Sequence, residues 1–347
     1  MKKLRILVLM HEDLVPPETM DGYSDKEILE WKTEYDVVTT LREMGHQTMP
    51  LGVSDDLAVL RKAIVGHKPH ITFNLLEEFH GIEAYDRHVV GYLELRRQHY
   101  TGCNPRGLLL ARDKALSKEI LAYHRVPAPK FQVFPRGKKV KRVRRLEFPL
   151  LVKSLLQDAS AGISQASLVH DDDKLTNQVQ CIHQDVGSDA IAEQYIEGRE
   201  LYCAVIGNQR LQTFPVWEML FKKKPDHIAN IATERVKWDE AYQKKIGIET
   251  RAAEDLPDGV EDRIFKLCKR IYRVLSMSGY GRMDLRLTPD GRVYFLEANP
   301  NPNLSYGEDL AESAEKIGVS YESLLQRIIN LGLRYQAPWK GQHHETG

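Results

Sequence analysis

Residues 280–300 read YGRMDLRLTPDGRVYFLEANP, two alternating runs joined by TPDG. Proline at the second position and glycine at the fourth make TPDG a turn, so the stretch is a β-hairpin. Side chains alternate along a strand, which puts Arg282, Asp284 and Arg286 on one face and Val293, Phe295, Glu297 and Asn299 on one face of the return strand. A two-residue loop at Pro289 and Asp290 pairs Asp284 with Phe295 and makes Asp284 and Glu297 diagonal neighbours on one face, within about 7–8 Å. A three-residue loop with a bulge puts the two acids on opposite faces. Asp284, Glu297 and Asn299 offer only oxygen, a donor set for a hard cation such as Mg²⁺. The competing reading is a solvated hairpin whose acids pair with Arg282 and Arg286.

Outward from the hairpin, short strands alternate with tight connections: KFQVF, FPLLVKS, GISQASLV, AIAEQYI, ELYCAVIG and QRLQTFPVWEM. Helical segments fall at about 172–183 and 258–275. This pattern predicts antiparallel sheets with flanking helices. The first hundred residues differ. LRILVLM, a helical stretch over 25–45, QTMPLGV, a second helix and HITFNLL follow βαβαβ grammar, which predicts a mainly parallel, Rossmann-like sheet. Asn104 before Pro105, and Asp113 before Lys114, are helix starts.

The chain has 347 residues, 42% apolar and 28% charged, with 49 Lys and Arg against 49 Asp and Glu. A neutral total gives no field toward nucleic acid or membrane. No run reaches the roughly 18 apolar residues of a membrane span, and MKKLRILVLMHED reads as a first strand rather than a signal peptide. Cys103, Cys181, Cys203 and Cys268 lie far apart without metal spacing and fit buried thiols in a reducing cytoplasm. The stretch 136–145, RGKKVKRVRR, packs seven positive residues into ten. It has no interleaved aromatics, and a solvated loop outweighs a nucleic-acid patch.

GYGRMDLRL followed by FLEANPNP resembles the C-terminal signature of ATP-grasp ligases, and of the D-alanine–D-alanine ligase family in particular. FNLLEEFHG, GYLELRRQHYTGCNPRGLLLARDKALSKEIL, FPLLVKS and AIAEQYIEGRE match in order, so the resemblance spans about 71–333. It implies an α/β and α+β multidomain chain. A Rossmann-like N-terminal (pre-ATP-grasp) domain over 1–110 precedes an ATP-grasp central domain over 111–192, a C-terminal catalytic domain over 193–335 and a frayed tail over 336–347. ATP would lie between two antiparallel sheets.

The resemblance also implies a carboxylate–amine ligase that forms an amide bond through an acyl phosphate; the cysteines and the lack of a long apolar run predict a cytoplasmic chain with no membrane partner. Lys114 and Lys153 would contact phosphates. Glu193 would accept from the adenine amino group, the backbone at Tyr195 and Ile196 would hold the ring edge, and Glu200 would take the ribose hydroxyls. Asp284, Glu297 and Asn299 would hold two Mg²⁺ ions, with Mn²⁺ as a substitute. Arg282 would stabilise the oxyanion, and Ser160, with Gly162 and Ser164, would close over the phosphates. A homodimer through the N-terminal domain is expected on the same ground.

Departures from the family bear on the substrates. The N-terminal acid that holds the first ammonium has no counterpart in MHEDLVPPETMDGYSD; Glu12 and Glu18 are candidates there to meet an amine, and neither is carried over from the family's motif. Trp238, after Lys237, stands where the family has tyrosine over the nucleotide. Asn303 and Glu308 fall where the family has a glycine and the serine that grips the second substrate's carboxylate. An acid there repels a carboxylate and suits an ammonium, so substrates other than D-alanine pairs are expected. The alternative role for Glu308 and Asp309 is to cap a helix beginning near Leu310. The competing functions are a genuine D-alanine–D-alanine ligase, an ATP-grasp phosphotransferase and a nucleic-acid-associated protein acting through 136–145.

Overall fold

The computed structural model of the chain describes residues 3–157, 163–223, 225, 229, 231–233, 235–236 and 239–340. Five elements open the chain: β1 (Arg5–Met10), α1 (Asp25–Glu43), β2 (Gln47–Gly52), α2 (Leu57–His67) and β3 (Ile71–Asn74). The strands form a parallel sheet in the order β2-β1-β3. β1 is apolar at every position after Arg5 and buried there on both faces, as a strand covered by helices must be. Ser24 and Glu27 close a reciprocal capping box at the start of α1, satisfying two of its free amides.

Helix α3 (Asp86–Leu95) leads to α4 (Pro105–Arg112) and α5 (Lys114–Tyr123). Asn104 accepts from the Gly107 amide at 3.0 Å, and Asp113 accepts from those of Ala115 and Leu116. Both starts lie where the sequence places them.

A four-stranded antiparallel sheet follows, built from β4 (Phe131–Phe134), β5 (Leu150–Ser154), β6 (Leu168–Val169) and β7 (Ala190–Gln194) in the order β4-β7-β5-β6, with α6 (Asp172–Cys181) against it. GISQASLV, expected as a strand, instead makes a 3-10 turn at Gln165–Ser167 and gives β6 two residues. Its Ser164 hydroxyl accepts from Ala166, which favours the turn. β7 runs through residue 192, so the boundary expected there falls inside a strand.

The second antiparallel sheet has six strands: β8 (Arg199–Gly207), β9 (Leu211–Thr213), β10 (Trp217–Phe221), β11 (Ile248–Ala252), β12 (Tyr280–Leu287) and β13 (Val293–Pro300). The order is β11-β10-β8-β12-β13, with β9 beside β8. Before β11 lies α7 (Glu240–Ile246); after it come α8 (Val260–Val274), α9 (Asp309–Glu315) and α10 (Tyr321–Arg334). Leu324, Leu325, Ile328 and Ile329 of α10 share one apolar cluster with Ile6, Val8, Phe73 and Leu41. The C-terminal helix is therefore part of the core of the N-terminal sheet. Past α10, Ala337 is buried and the Trp339 ring meets His99 edge-on at 5.4 Å, so packing continues beyond 336. No described helix is long and apolar enough to cross a membrane.

Candidate active site

The hairpin has neither register considered from sequence. Thr288 and Arg292 flank a three-residue turn, with the Thr288 amide donating to the Arg292 carbonyl at 2.9 Å and Gly291 at φ 78°. Leu287 pairs with Val293 and Leu285 with Phe295; then the register shifts, and Asp284 pairs with Glu297, Arg282 with Asn299. Leu296 is the extra residue. The bulge lets Phe295 and Ala298, three positions apart, both enter the core, while Glu297 and Asn299 join Arg282, Asp284 and Arg286 on the other face. The sequence expectation that Val293 and Phe295 share the face of Glu297 is thus corrected. A bulge commonly re-aims side chains next to active sites, and this one sets the two acids directly opposite each other.

That face looks onto the four-stranded sheet. Lys153 of β5 lies 3.5 Å from Glu297 and 3.2 Å from Glu193, and Lys118 lies 2.8 Å from Glu193. Lys118 also donates to the Leu296 carbonyl at the bulge. Two lysines and two glutamates therefore link β5, β7 and α5 to β13. Burial alone would raise the Glu193 carboxyl, but Lys118 and Lys153 outweigh it and hold it low. Burial disfavours charge on Lys153, yet Glu193 and Glu297 prevail and raise it. Lys118 is pushed down to about 8 by burial, partly offset by Glu193. Lys118 Nζ meets Glu193 Oε1 at 2.8 Å, an ion pair buried at both ends.

Sequence reasoning named three of these four residues and missed Lys118. The available signal was its place one helical turn after Lys114, on the packed side of α5. Lys114 is buried and donates to the Gln157 carbonyl at 2.7 Å. Ser160 and Gly162 lie outside the described residues, as do Lys237 and Trp238.

Between the sheets is a cleft lined by Leu151, Lys153, Glu193, Tyr195, Ile196, Arg286 and Leu296. Its volume is about 40 Å³, against roughly 300–1,000 Å³ for small-molecule sites; the sheets are closed on each other. A larger cavity of about 370 Å³ beside Trp217, Arg251 and Glu312 contains none of the expected site residues. Glu200, expected to be open to a ribose, accepts from Arg286 at 2.8 Å and from the Tyr202 hydroxyl at 3.0 Å. The Tyr195 amide is committed to the Pro149 carbonyl at 3.0 Å.

Arg282 forks onto Asp284 at 2.8 and 2.9 Å, and its third nitrogen reaches Asp309 at 2.9 Å. The Tyr202 ring covers one guanidinium face, 4.7 Å away. Asp309 opens α9, and Glu308 is its N-cap residue without a side-chain capping bond. The acids therefore do not cap by their side chains; Asp309 turns to Arg282. Asn303 faces α1, where its carboxamide oxygen accepts from Thr33 at 2.9 Å as well as from Ser305. The same loop is tied by Lys32 to the Tyr306 carbonyl and by Asp36 to its amide. Glu18 pairs with Arg42, away from these residues.

Among the described residues no three His, Cys, Asp or Glu gather as a metal cluster. The hairpin set is two carboxylates and a carboxamide. It fits Mg²⁺ by donor chemistry, and Arg282 and Lys153 already balance the carboxylates a metal would bind.

A family model described as the D-ala D-ala ligase C-terminus matches residues 120–330. The chain belongs to the D-alanine–D-alanine ligase family. It is an ATP-grasp ligase that forms carbon–nitrogen bonds. A D-alanine–D-alanine ligase of Bacillus anthracis is 26% identical over 317 residues, covering 91% of this chain and 96% of its own. An uncharacterized protein, y4sG, of Sinorhizobium fredii is 31% identical over 86% of each chain. The solved B. anthracis ligase complexed with ATP superposes with a TM-score of 0.73 at 23% identity, covering 95% of this chain and 98% of that one.

Proposed function

We propose that the enzyme joins a small carboxylic acid to an amine through an acyl phosphate, with ATP in the cleft between the two antiparallel sheets and substrates other than a pair of D-alanines. The observation that carries this reading is the quartet of Lys118, Glu193, Lys153 and Glu297, which crosses the cleft and joins both sheets at the hairpin. ATP parts the sheets, and Lys153 and Lys114 exchange their present partners for phosphate oxygens. Glu193, whose Oε1 is paired with Lys118 here, accepts from the adenine amino group. The Tyr195 carbonyl and the Ile196 amide hold the ring edge, and Glu200, oriented by Arg286, takes the ribose. Asp284, Glu297 and Asn299 hold Mg²⁺, two ions in this reading, with Mn²⁺ as a substitute. The metal lowers the charge barrier at the terminal phosphate when bound. With its contacts to Asp284 and Asp309 made, Arg282 keeps two of its five N–H groups for the oxyanion that forms when the amine attacks. Ser160 belongs to the segment proposed to close over the phosphates. The domain division proposed is 1–112, 113–195 and 196–335, which leaves α4 and β7 whole where boundaries at 110 and 192 cut them.

The second reading, a D-alanine–D-alanine ligase proper, is favoured by the names of the relatives and opposed by Asp309, 2.9 Å from Arg282. ADP release over a matrix of acids and amines, D-alanine included, with the product weighed by mass spectrometry, decides between them. Glu297→Gln is expected to lower turnover by roughly two orders of magnitude or more. ADP accompanied by a stable phosphorylated acid and no amide would make the protein a phosphotransferase instead.

A further inference from the structure

The Arg282 guanidinium carries one positive charge and meets two carboxylates, Asp284 by a fork and Asp309 by its remaining nitrogen, all three largely shielded from water. Glu297 is matched by Lys153, so the acceptor end of the site has an excess negative charge, and Glu308 stands beside it on the surface. The arrangement is built in. The loop that leads into α9 and Asp309 is clasped to α1 through Thr33 with Asn303 and Ser305, and through Lys32 and Asp36 with Tyr306. Asp309 has little freedom to swing away.

The nitrogen that attacks the acyl phosphate must approach the carbonyl served by Arg282. A carboxylate on the carbon next to that nitrogen would come within a few ångström of Asp309, with the charge of Arg282 already balanced. Like charges at such range in a shielded site repel strongly. We propose that Asp309 is a specificity-determining residue, and that it restricts the amine substrate to one without a free carboxylate beside its nitrogen: a simple amine, or an amino acid whose carboxyl is an amide or ester. This inference rests on the ligase reading and deepens it.

The test separates the two. Hydroxylamine traps an acyl phosphate as a hydroxamate whatever the natural amine, so a panel of small carboxylic acids, with glycine and both enantiomers of the chiral amino acids among them, is first screened with Mg-ATP and hydroxylamine. Hydroxamate formation supports the ligase reading; its absence across the panel overturns that reading and this inference with it. With an accepted acid, amino acids and their amides are then compared as nucleophiles. The amides are expected to exceed the free amino acids by roughly a hundredfold in kcat/KM, and Asp309→Asn or Asp309→Ser to shrink that ratio by about tenfold. A ratio taken within each variant is insensitive to the fraction folded. Free amino acids used within about threefold of their amides, a ratio unmoved in both variants, or hydroxamate without product from any amidated probe would each overturn the inference.

Discussion

Arg286 shows how one residue alters a neighbour's role. It lies in the cleft and binds Glu200 at 2.8 Å, so the carboxylate proposed for the ribose is held in place by a charge-assisted bond. Arg286→Met is expected to raise KM for ATP by about tenfold, chiefly in KM rather than kcat, and to erase the preference for ATP over 2′-deoxy-ATP, as Glu200→Gln would. A variant that still discriminates the two nucleotides would remove Arg286 from that role. At this scale the placement was legible in part: Lys153 and Glu193 line the cleft, and Arg282, Asp284, Glu297 and Asn299 share the hairpin face that looks onto it. What was not legible was pairing. Arg286 and Glu200 are 86 residues apart, and Arg282 and Asp309 are 27 apart; no local pattern marks such partners. Counting from the motif puts Asn303 at the substrate, whereas its hydrogen bonds tie it to α1.

At the scale of elements, caps and apolar runs placed most strands and helices, since Asn104, Asp113 and the alternation of β12 act locally. The bulge at Leu296 was beyond reach. Register depends on the count of residues across a turn, and one extra residue exchanges the faces of everything after it. β11 was missed as well, its IETRA sequence having few apolar positions to mark it. The junction of β7 with β8 offers a test of how tightly the sheet is set. Gly198 has φ 152°, and a Cβ there would lie 2.1 Å from the Leu287 carbonyl oxygen. Gly198→Ala is expected to cost about 2–4 kcal/mol from backbone strain and clash, read as a lower denaturant midpoint. It should also weaken ATP binding, because the Gly198 carbonyl accepts from Arg286. A variant with wild-type stability would show that the junction yields easily.

In the whole molecule, the N-terminal sheet, the helices that follow the hairpin and the site share one frame, and Glu34 of α1 sits inside it. Burial, reinforced by Glu77 and Asp36, pushes its carboxyl up to about 8 from 4.5. A carboxyl raised in the folded state binds more protons there than in the unfolded chain between those values, so its contribution to stability falls as pH rises from about 4.5 through 8. Glu34→Gln is expected to be more stable than the native chain above pH 8 by roughly 2–4 kcal/mol, the gap closing below pH 4.5. Denaturation at pH 4.5 and 8.5 checks it; equal gaps at both would refute a charge effect. The quartet across the cleft has one further consequence, for the speed of encounter. Two lysines face two glutamates and Arg286 faces Glu200, so these groups sum to zero, and with one excess negative charge at Arg282, Asp284 and Asp309 the closed cleft exerts no pull on a phosphate at a distance. Nucleotide should therefore arrive by unaided diffusion. Its association rate in stopped-flow is expected to change by less than about threefold between low and high salt, with the opening of the two sheets, rather than attraction at a distance, setting the pace.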